Sequence, residues 1–495
     1  MMRCSVLLVA ACSVGLTAQP LATVQVLRNP QGPVVPRDFI GLSVQQSIAL
    51  ADFGSPTAPN TVLFKLIQNL GNGTLRIGGS AADSACWNGE PAPAPGICQY
   101  TLTSADFDSW AYAGAQTGWP MIIGVSLAQN KAAGAPQYIL DEVTQGLLPS
   151  LAKRPRASLL ALELGNELNL YYLNPAYRPP SYGVPQQTSD LLSYISAFNG
   201  NAATQNIPLV APAYANPNLN SITTQLEPLV SNLLTCSTCS PQNLGLVTLH
   251  EYFLAYTSPT GALQQLLSPT LMQQVQANFL KAVTDLWNLY GMQVQIDETN
   301  SSAPDPGLQG VSDVQASALW TLDYALSMAR IGVRRLNFHI HNGSYYDPLV
   351  ITPGGNGIFS NQVQPQYYAM YAFNAAKSQQ FLPLAVTSSA NVRAYALSQC
   401  PTCAITIFLV NKDMSASGPV QISLSAPATT ASYLELSAPS LTSQASSVLF
   451  GGVQFNNSTG SLTGPPQAVA IQPDSNGTYT VQLDNAAAGI LTIQP

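Results

Sequence analysis

Leu162-Glu163-Leu164-Gly165-Asn166-Glu167 and Gln295-Ile296-Asp297-Glu298-Thr299-Asn300 each set acids at the end of an apolar run that reads as a buried strand. Two carboxylates lifted to the mouth of a parallel barrel by different strands suit the cutting of an acetal. One group protonates the departing oxygen while the other attacks or screens the oxocarbenium-like carbon. Either motif alone reads equally well as a helix start or a solvent-facing acid; the pair is what points to chemistry.

Working outward, short apolar or β-branched runs recur at Phe39 to Val44, Thr74 to Gly78, Met121 to Leu127, Leu159 to Leu164, Leu209 to Ala213, Leu246 to His250, Val294 to Asp297 and Leu336 to Ile340. Segments between them, such as Ala277 to Tyr290 and Ala316 to Ala329, carry apolar residues at three- and four-residue spacing, as helices packed outside a barrel do. The class expected is therefore α/β, a (β/α)8 TIM barrel. After about Ala376 helical periodicity gives way to alternating Ser/Thr/Ala/Val-rich stretches, including Val392 to Ser398, Ala404 to Val410, Val420 to Leu424 and Tyr479 to Leu483, which predict a β-sandwich. Thr23 to Val35 is also strand-like and precedes the first barrel run. The division expected is a leader at 1–18, a strand segment at 19–37 that joins the sandwich, a catalytic barrel at 38–375 and a β-sandwich at 376–495.

The chain has 495 residues, enough to bury a large core, and only 8% are charged, with 17 Lys+Arg against 24 Asp+Glu. That acidity argues against nucleic acid, which needs a basic stripe, and, for a carbohydrate or glycoside partner, fits a neutral sugar more easily than a polyanion. Met1-Met2-Arg3, the apolar stretch Cys4 to Leu16 and Thr17-Ala18-Gln19-Pro20 have the three parts of a secretory leader cleaved after Ala18, so the mature chain is expected to be secreted, extracellular or periplasmic. A lipoprotein reading through Cys12 competes with it. No later segment reads as a membrane span. Cys86 with Cys98, Cys236 with Cys239 and Cys400 with Cys403 read as local disulfides; in an exported chain that is preferred to the two Cys-x-x-Cys pairs forming a zinc site. Asn-x-Ser/Thr acceptors occur at Asn72, Asn300, Asn342, Asn456, Asn457 and Asn476.

Strand alternation places Glu163, Gly165 and Glu167 on one face, with Glu167 at the mouth and Glu163 deeper, as a buried acid that needs a partner. Asn166 offers an amide to a sugar hydroxyl or serves as a turn-former. Asp297 and Glu298 are adjacent, so alternation lets only one face the axis. Glu298 shares parity with Ile296 and Val294, which leaves Asp297 needing an outside partner unless the assignment is reversed. Other candidates at strand ends are Arg76 with Gly78 and Gly79, Tyr214, His250 with Tyr252, and the group His339, His341, Asn342, Gly343 and Tyr345. A Tyr or His beside a nucleophilic carboxylate keeps it ionised through a hydrogen bond. No third ligand accompanies His339 and His341 at metal-site spacing, so neither metal nor organic cofactor is expected.

Taken together, Gly165-Asn166-Glu167, His250-x-Tyr252, Glu298-Thr299-Asn300-Ser301 and Leu75-Arg76-Ile77-Gly78-Gly79 resemble glycoside hydrolase family 79, the β-glucuronidase and heparanase group. The resemblance spans most of the mature chain. It implies a retaining β-glycosidase with Glu167 as acid/base, Glu298 as nucleophile, Asn166 as a hydroxyl contact and Tyr252 as a partner of the nucleophile. The family's glucuronidases hold the sugar carboxylate with a Tyr five residues past the nucleophile and with a Gly-x-Tyr after strand eight. Here Gly343-Ser344-Tyr345 matches the second element, while the first position is Ala303 and the first-strand loop reads Ser43-Val44-Gln45-Gln46. Gln45, Gln46 and Ala303 therefore join the candidate substrate contacts. β-Glucuronides are the substrate the resemblance implies. Neutral or disaccharide β-glycosides compete, as does a carbohydrate-binding protein without turnover.

Overall fold

The computed structural model describes residues 19–88, 97–128, 135–236, 244–255, 260–341, 343–354, 357–425 and 430–494. The leader at 1–18, Cys239 and Asn342 lie outside the described residues. Eight parallel strands close a barrel in chain order: β1 (Ile40–Gln45), β2 (Leu75–Gly78), β3 (Met121–Val125), β4 (Leu159–Leu164), β5 (Leu209–Ala215), β6 (Leu244–Ala255), β7 (Gln293–Ala303) and β8 (Leu336–Ile340). These are the eight runs expected, and β6 and β7 outlast the others, staying paired as far as Ala255 and Ala303. That extension raises a wall above one side of the barrel mouth.

The covering helices follow from their spacing. α1 (Pro269–Tyr290) buries Met272, Val275, Phe279, Ala282 and Leu286, a three-four repeat that keeps one stripe on the barrel. Ser268 Oγ accepts from Leu271 N at its start, Pro269 occupies the first turn, and left-handed Gly291 ends it. α2 (Gln315–Arg330) is different: every residue from Gln315 to Ala329 is buried, because this helix is covered by the second domain.

That domain is a sandwich of two sheets. One has the order Leu384–Ser388, Ala22–Val26, Gly418–Leu424, Tyr479–Leu483; the other runs Gln380–Leu382, Val392–Ser398, Ile405–Asn411, Ala487–Ile493, Ala431–Ser437, Leu449–Phe450. Ala22–Val26 pairs on both sides, with Leu384–Ser388 and Gly418–Leu424, and its alternate residues Ala22, Val24 and Val26 enter the sandwich core. Disulfides Cys86–Cys98 and Cys400–Cys403 are formed.

Barrel and sandwich meet around a buried charge cluster. Asp323 of α2 is fully buried and forms an ion pair with equally buried Lys412, with Arg393 at 3.5 Å and the Tyr395 phenol donating to it. Burial raises the Asp323 carboxyl, but Lys412 and Arg393 outweigh it and hold it below its ordinary value. Asp323→Ala should therefore cost about 3–5 kcal/mol by stranding Lys412, while Asp323→Leu combined with Lys412→Met should recover most of the loss. Urea midpoints of Asp323→Leu, Lys412→Met and the double variant, beside Asp323→Ala, check this; an additive double variant would contradict a coupled pair.

Candidate active site

The two acid motifs reach the barrel mouth by different backbone devices. β4 stops at Leu164; Gly165 (φ 77°) and Glu167 (φ 56°, ψ 52°) then adopt left-handed conformations. A Cβ at Gly165 would come within 2.5 Å of Leu168, so glycine is required there. Glu167 has left the strand, so alternation does not govern its direction. A left-handed non-glycine residue costs roughly 1–2 kcal/mol, and the Glu167 N–H donating to Ala213 O at 2.9 Å helps hold it.

β7 corrects the parity argument. Against β6, Leu249 pairs with Ile296 and the next residue, His250, pairs with Glu298; against β8, Ile296 pairs with Leu336 and Thr299 with Phe338. Both neighbours pass over one residue of β7, a β-bulge at Asp297. Asp297 and Glu298 therefore both face the barrel interior, and Asp297 has its neighbours inside the barrel, with no outside partner required.

Arg76, fully buried, is the hub beneath them. Its Nε donates to Glu163 Oε2 at 2.8 Å, Nη1 to Ser43 Oγ at 3.0 Å and to Glu298 Oε2, and Nη2 to Asn166 Oδ1 at 2.9 Å. Glu163 is thus the partnered buried acid that its depth requires. Burial and the Glu163 charge push the Asp297 carboxyl well up, while Arg76 outweighs burial at Glu163 and holds it below its ordinary value, so the pair favours a protonated Asp297 beside an ionised Glu163. Burial also opposes ionisation of Glu298, but His339, His250, Arg76 and the Tyr252 phenol, donating at 2.8 Å to Oε1, keep its pKa well below the ordinary value. Burial pushes His339 down to about 4, and its Nδ1 is hydrogen-bonded to Ser43 Oγ at 3.0 Å.

His250 lies between the two acids. Arg76 Nη2 stands 3.4 Å from its Nε2; a guanidinium only donates, so Nε2 accepts and Nδ1–H points to Glu167 Oε1 at 3.1 Å. Oxygens of Glu167 and Glu298 and a nitrogen of His250 lie within 4.8 Å of one another, as do those of Glu163, Asp297 and His250. Arg76 already supplies positive charge to both acid groups.

Above this network is a pocket of about 290 Å³ lined by Gln45, Ser80, Asn166, Glu167, Leu170, Ala215, Asn216, Tyr252, Glu298, Ala303, Asp305, His339, His341 and Tyr346. Of the residues singled out from the sequence, Gln45, Asn166, Tyr252, Ala303, His339, His341 and both glutamates line it. Gln45 Nε2 donates to Ser80 Oγ, and Gly79 (φ 79°) passes so close that a Cβ would lie 1.8 Å from Gln45 Oε1. His250 supports the pocket from below.

Besides His250, four of the expected substrate contacts do not line it. Gln46 is buried and donates to Gly124 O at 3.0 Å, at the start of a helix; Tyr214 is buried and donates to Gln187. Gly343 and Tyr345 face a neighbouring polar cavity with Gln362, Gln364 and Gln444. The cause is Asp347, which accepts from the backbone N–H of His341, Gly343 and Ser344 and curls this loop so that Tyr346 lines the pocket in place of Tyr345. Asp305, Tyr346, Asn216 and Ser80 escaped the sequence reading. Asp305 alone had a visible signal, as an acid two residues past Ala303. Asn300 is fully buried and its amide donates to His339 O, so it is no acceptor for a glycan in the folded chain.

Residues 394–490 match the glycosyl hydrolase family 79 C-terminal beta domain. A β-glucuronidase of Aspergillus niger is 25% identical over 352 residues, covering 67% of this chain and 63% of that protein. One from Neurospora crassa is 24% identical over 407 residues, covering 75% of this chain and 69% of that protein. Among solved structures, a 4-O-α-L-rhamnosyl-β-D-glucuronidase from Fusarium oxysporum 12S superposes with a TM-score of 0.74 at 18% identity, over 95% of this chain and all of that one. A GH51 arabinofuranosidase from Xanthomonas axonopodis pv. citri gives 0.68 at 15% identity, over 96% of this chain and all of that one. These structural likenesses concern the fold.

Proposed function

Because this chain belongs to glycoside hydrolase family 79, we propose that it is an exported, retaining β-glycosidase that hydrolyses β-glucuronides by double displacement. The observation that carries the proposal is the approach of Glu167 and Glu298, one carboxylate oxygen of each lying within 4.8 Å of the other. Retaining pairs stand about 5–5.5 Å apart, and inverting pairs need about 6.5–9.5 Å to admit a water between them.

In this reading Glu298, held ionised by Arg76 and Tyr252, attacks the anomeric carbon as the C–O bond breaks. Glu167 gives its proton to the departing oxygen and then takes one from the water that releases the sugar. The His250 Nδ1–H stays on Glu167 through both steps and orients it. Asn166 Oδ1 is engaged by Arg76, which leaves its NH2 for a hydroxyl beside the scissile bond. The leader-like start and the two disulfides support export.

Glu167→Ala should spare aryl glycosides with very acidic leaving groups in the first step and slow poor leaving groups by about 10²–10⁴-fold, the range of general acid catalysis. Azide should restore turnover and yield a β-glycosyl azide; an α-azide would contradict retention. A second reading, a neutral β-glycosidase, is favoured by Ala303 and by the lack of any Lys or Arg among the described residues lining the pocket. Comparing kcat/KM for aryl β-glucuronide, glucoside, galactoside and xyloside decides between them.

A further inference from the structure

The pocket wall built by the β7 and β8 loops converges on one carboxylate. Asp305 Oδ2 lies 3.0 Å from His341 Nδ1, and Oδ1 accepts from the Tyr346 phenol at 3.1 Å and from Ser344 Oγ. Tyr346 is almost wholly buried, whereas the side chains of Asp305 and His341 are 44% and 34% exposed and line the pocket. An imidazole nitrogen and two hydroxyls are partners that suit a carboxylate, and here the protein's own acid occupies them.

The position of this wall matters for the sugar. Asn166 and Glu167 follow β4, and Asp305, His341 and Tyr346 follow β7 and β8 around the opposite side of the mouth. A pyranose with C1 over Glu298 and O2 toward Asn166 directs its ring oxygen, C5 and C6 away from Asn166, because C2 and the ring oxygen flank C1 on opposite sides. The C6 substituent therefore meets Ala303 and the Asp305 cluster.

We propose that Asp305 is a resident surrogate for the substrate's own carboxylate: a β-glucuronide binds by displacing the Asp305 side chain from His341 and Tyr346. This rests on the β-glycosidase reading with glucuronides as substrate and adds a specificity-determining residue to it. Asp305 works against uronates through occupation of their donors and through like charge, and a substrate whose C6 bears only a hydroxyl has neither contest to win.

The test compares wild type, Asp305→Ala and Asp305→Ala/His341→Ala on aryl β-glucuronide and aryl β-glucoside. Asp305→Ala should raise the glucuronide-to-glucoside ratio of kcat/KM about tenfold or more, chiefly through KM, and adding His341→Ala should take most of that gain away. An unchanged ratio, or one moved toward the glucoside, overturns the proposal. Inhibition by free D-glucuronate against D-glucose gives a readout independent of substrate class: the selectivity for D-glucuronate must rise in Asp305→Ala. If wild type hydrolyses neither glycoside, the functional reading fails, and the binding of D-glucuronate still decides the role of Asp305. Should Asp305→Ala not fold, Asp305→Asn keeps the acceptor but removes the charge; a smaller rise in the same direction supports the proposal and no rise sinks it.

Discussion

Glu298→Gln should lower kcat/KM for every aryl glycoside by about 10⁴-fold or more, the scale on which loss of a covalent nucleophile is felt. The amide keeps the size of the side chain; its oxygen accepts from Arg76 while its NH2 faces the Tyr252 phenol oxygen, so the site stays assembled while the attacking charge is gone. Glu167 then has an intact donor from His250 but no glycosyl-enzyme to make. The loss should be equal for good and poor leaving groups, unlike that of Glu167→Ala. Steady-state kinetics on a leaving-group series separates the two, and residual activity within about tenfold of wild type would remove Glu298 from the mechanism.

Arg76→Met should cost about 3–5 kcal/mol of stability, because it strips a fully buried cation from the two interior carboxylates it pairs with, Glu163 and Glu298. The pH dependence has a definite sign. In the wild type, the folded pKa values of Glu163 and Glu298 are depressed below the ordinary 4.5. Their contribution is therefore present above pH 4.5 and lost as pH falls through the folded values. Without Arg76, burial alone governs these carboxyls and favours the protonated form. The gap between wild type and variant should be widest near neutrality and shrink in acid. Arg76→Lys should not restore it, since one ammonium cannot reproduce the fork that reaches Glu163, Ser43, Asn166 and Glu298 together. Urea midpoints at pH 7 and pH 4 provide the measurement; a loss equal at both would assign Arg76 a packing role alone.

The barrel was legible because its strands are short, apolar and separated by helices with a regular apolar stripe, and both signals are local. The alternation Ala22, Val24, Val26 likewise foretold a strand with one buried face. Legibility failed where one backbone event resets direction. The bulge at Asp297 turns that side chain inward against the alternation rule, the left-handed step at Glu167 takes that residue out of the rule's reach, and neither is written in residue type. The exchange of Tyr345 for Tyr346 has the same origin, since three backbone N–H groups bound by Asp347 set which of two neighbouring phenols enters the pocket. Arg76 was noticed only as a strand-end residue; its role depends on Ser43, Glu163, Asn166 and Glu298, brought together from β1, β4, the loop that follows β4, and β7. Gln46 and Tyr214 were near the right strand ends but spend their polar atoms on Gly124 and Gln187.

Trapping with a 2-deoxy-2-fluoro-β-glucuronyl fluoride, followed by intact-mass analysis and peptide mapping, tests the central claim most directly. Fluorine at C2 slows release of the sugar, so a double displacement must accumulate one glycosyl residue per chain, bound through an ester to Glu298. Absence of an adduct from enzyme that turns over aryl glucuronides, or an adduct on Asp297, would contradict the account.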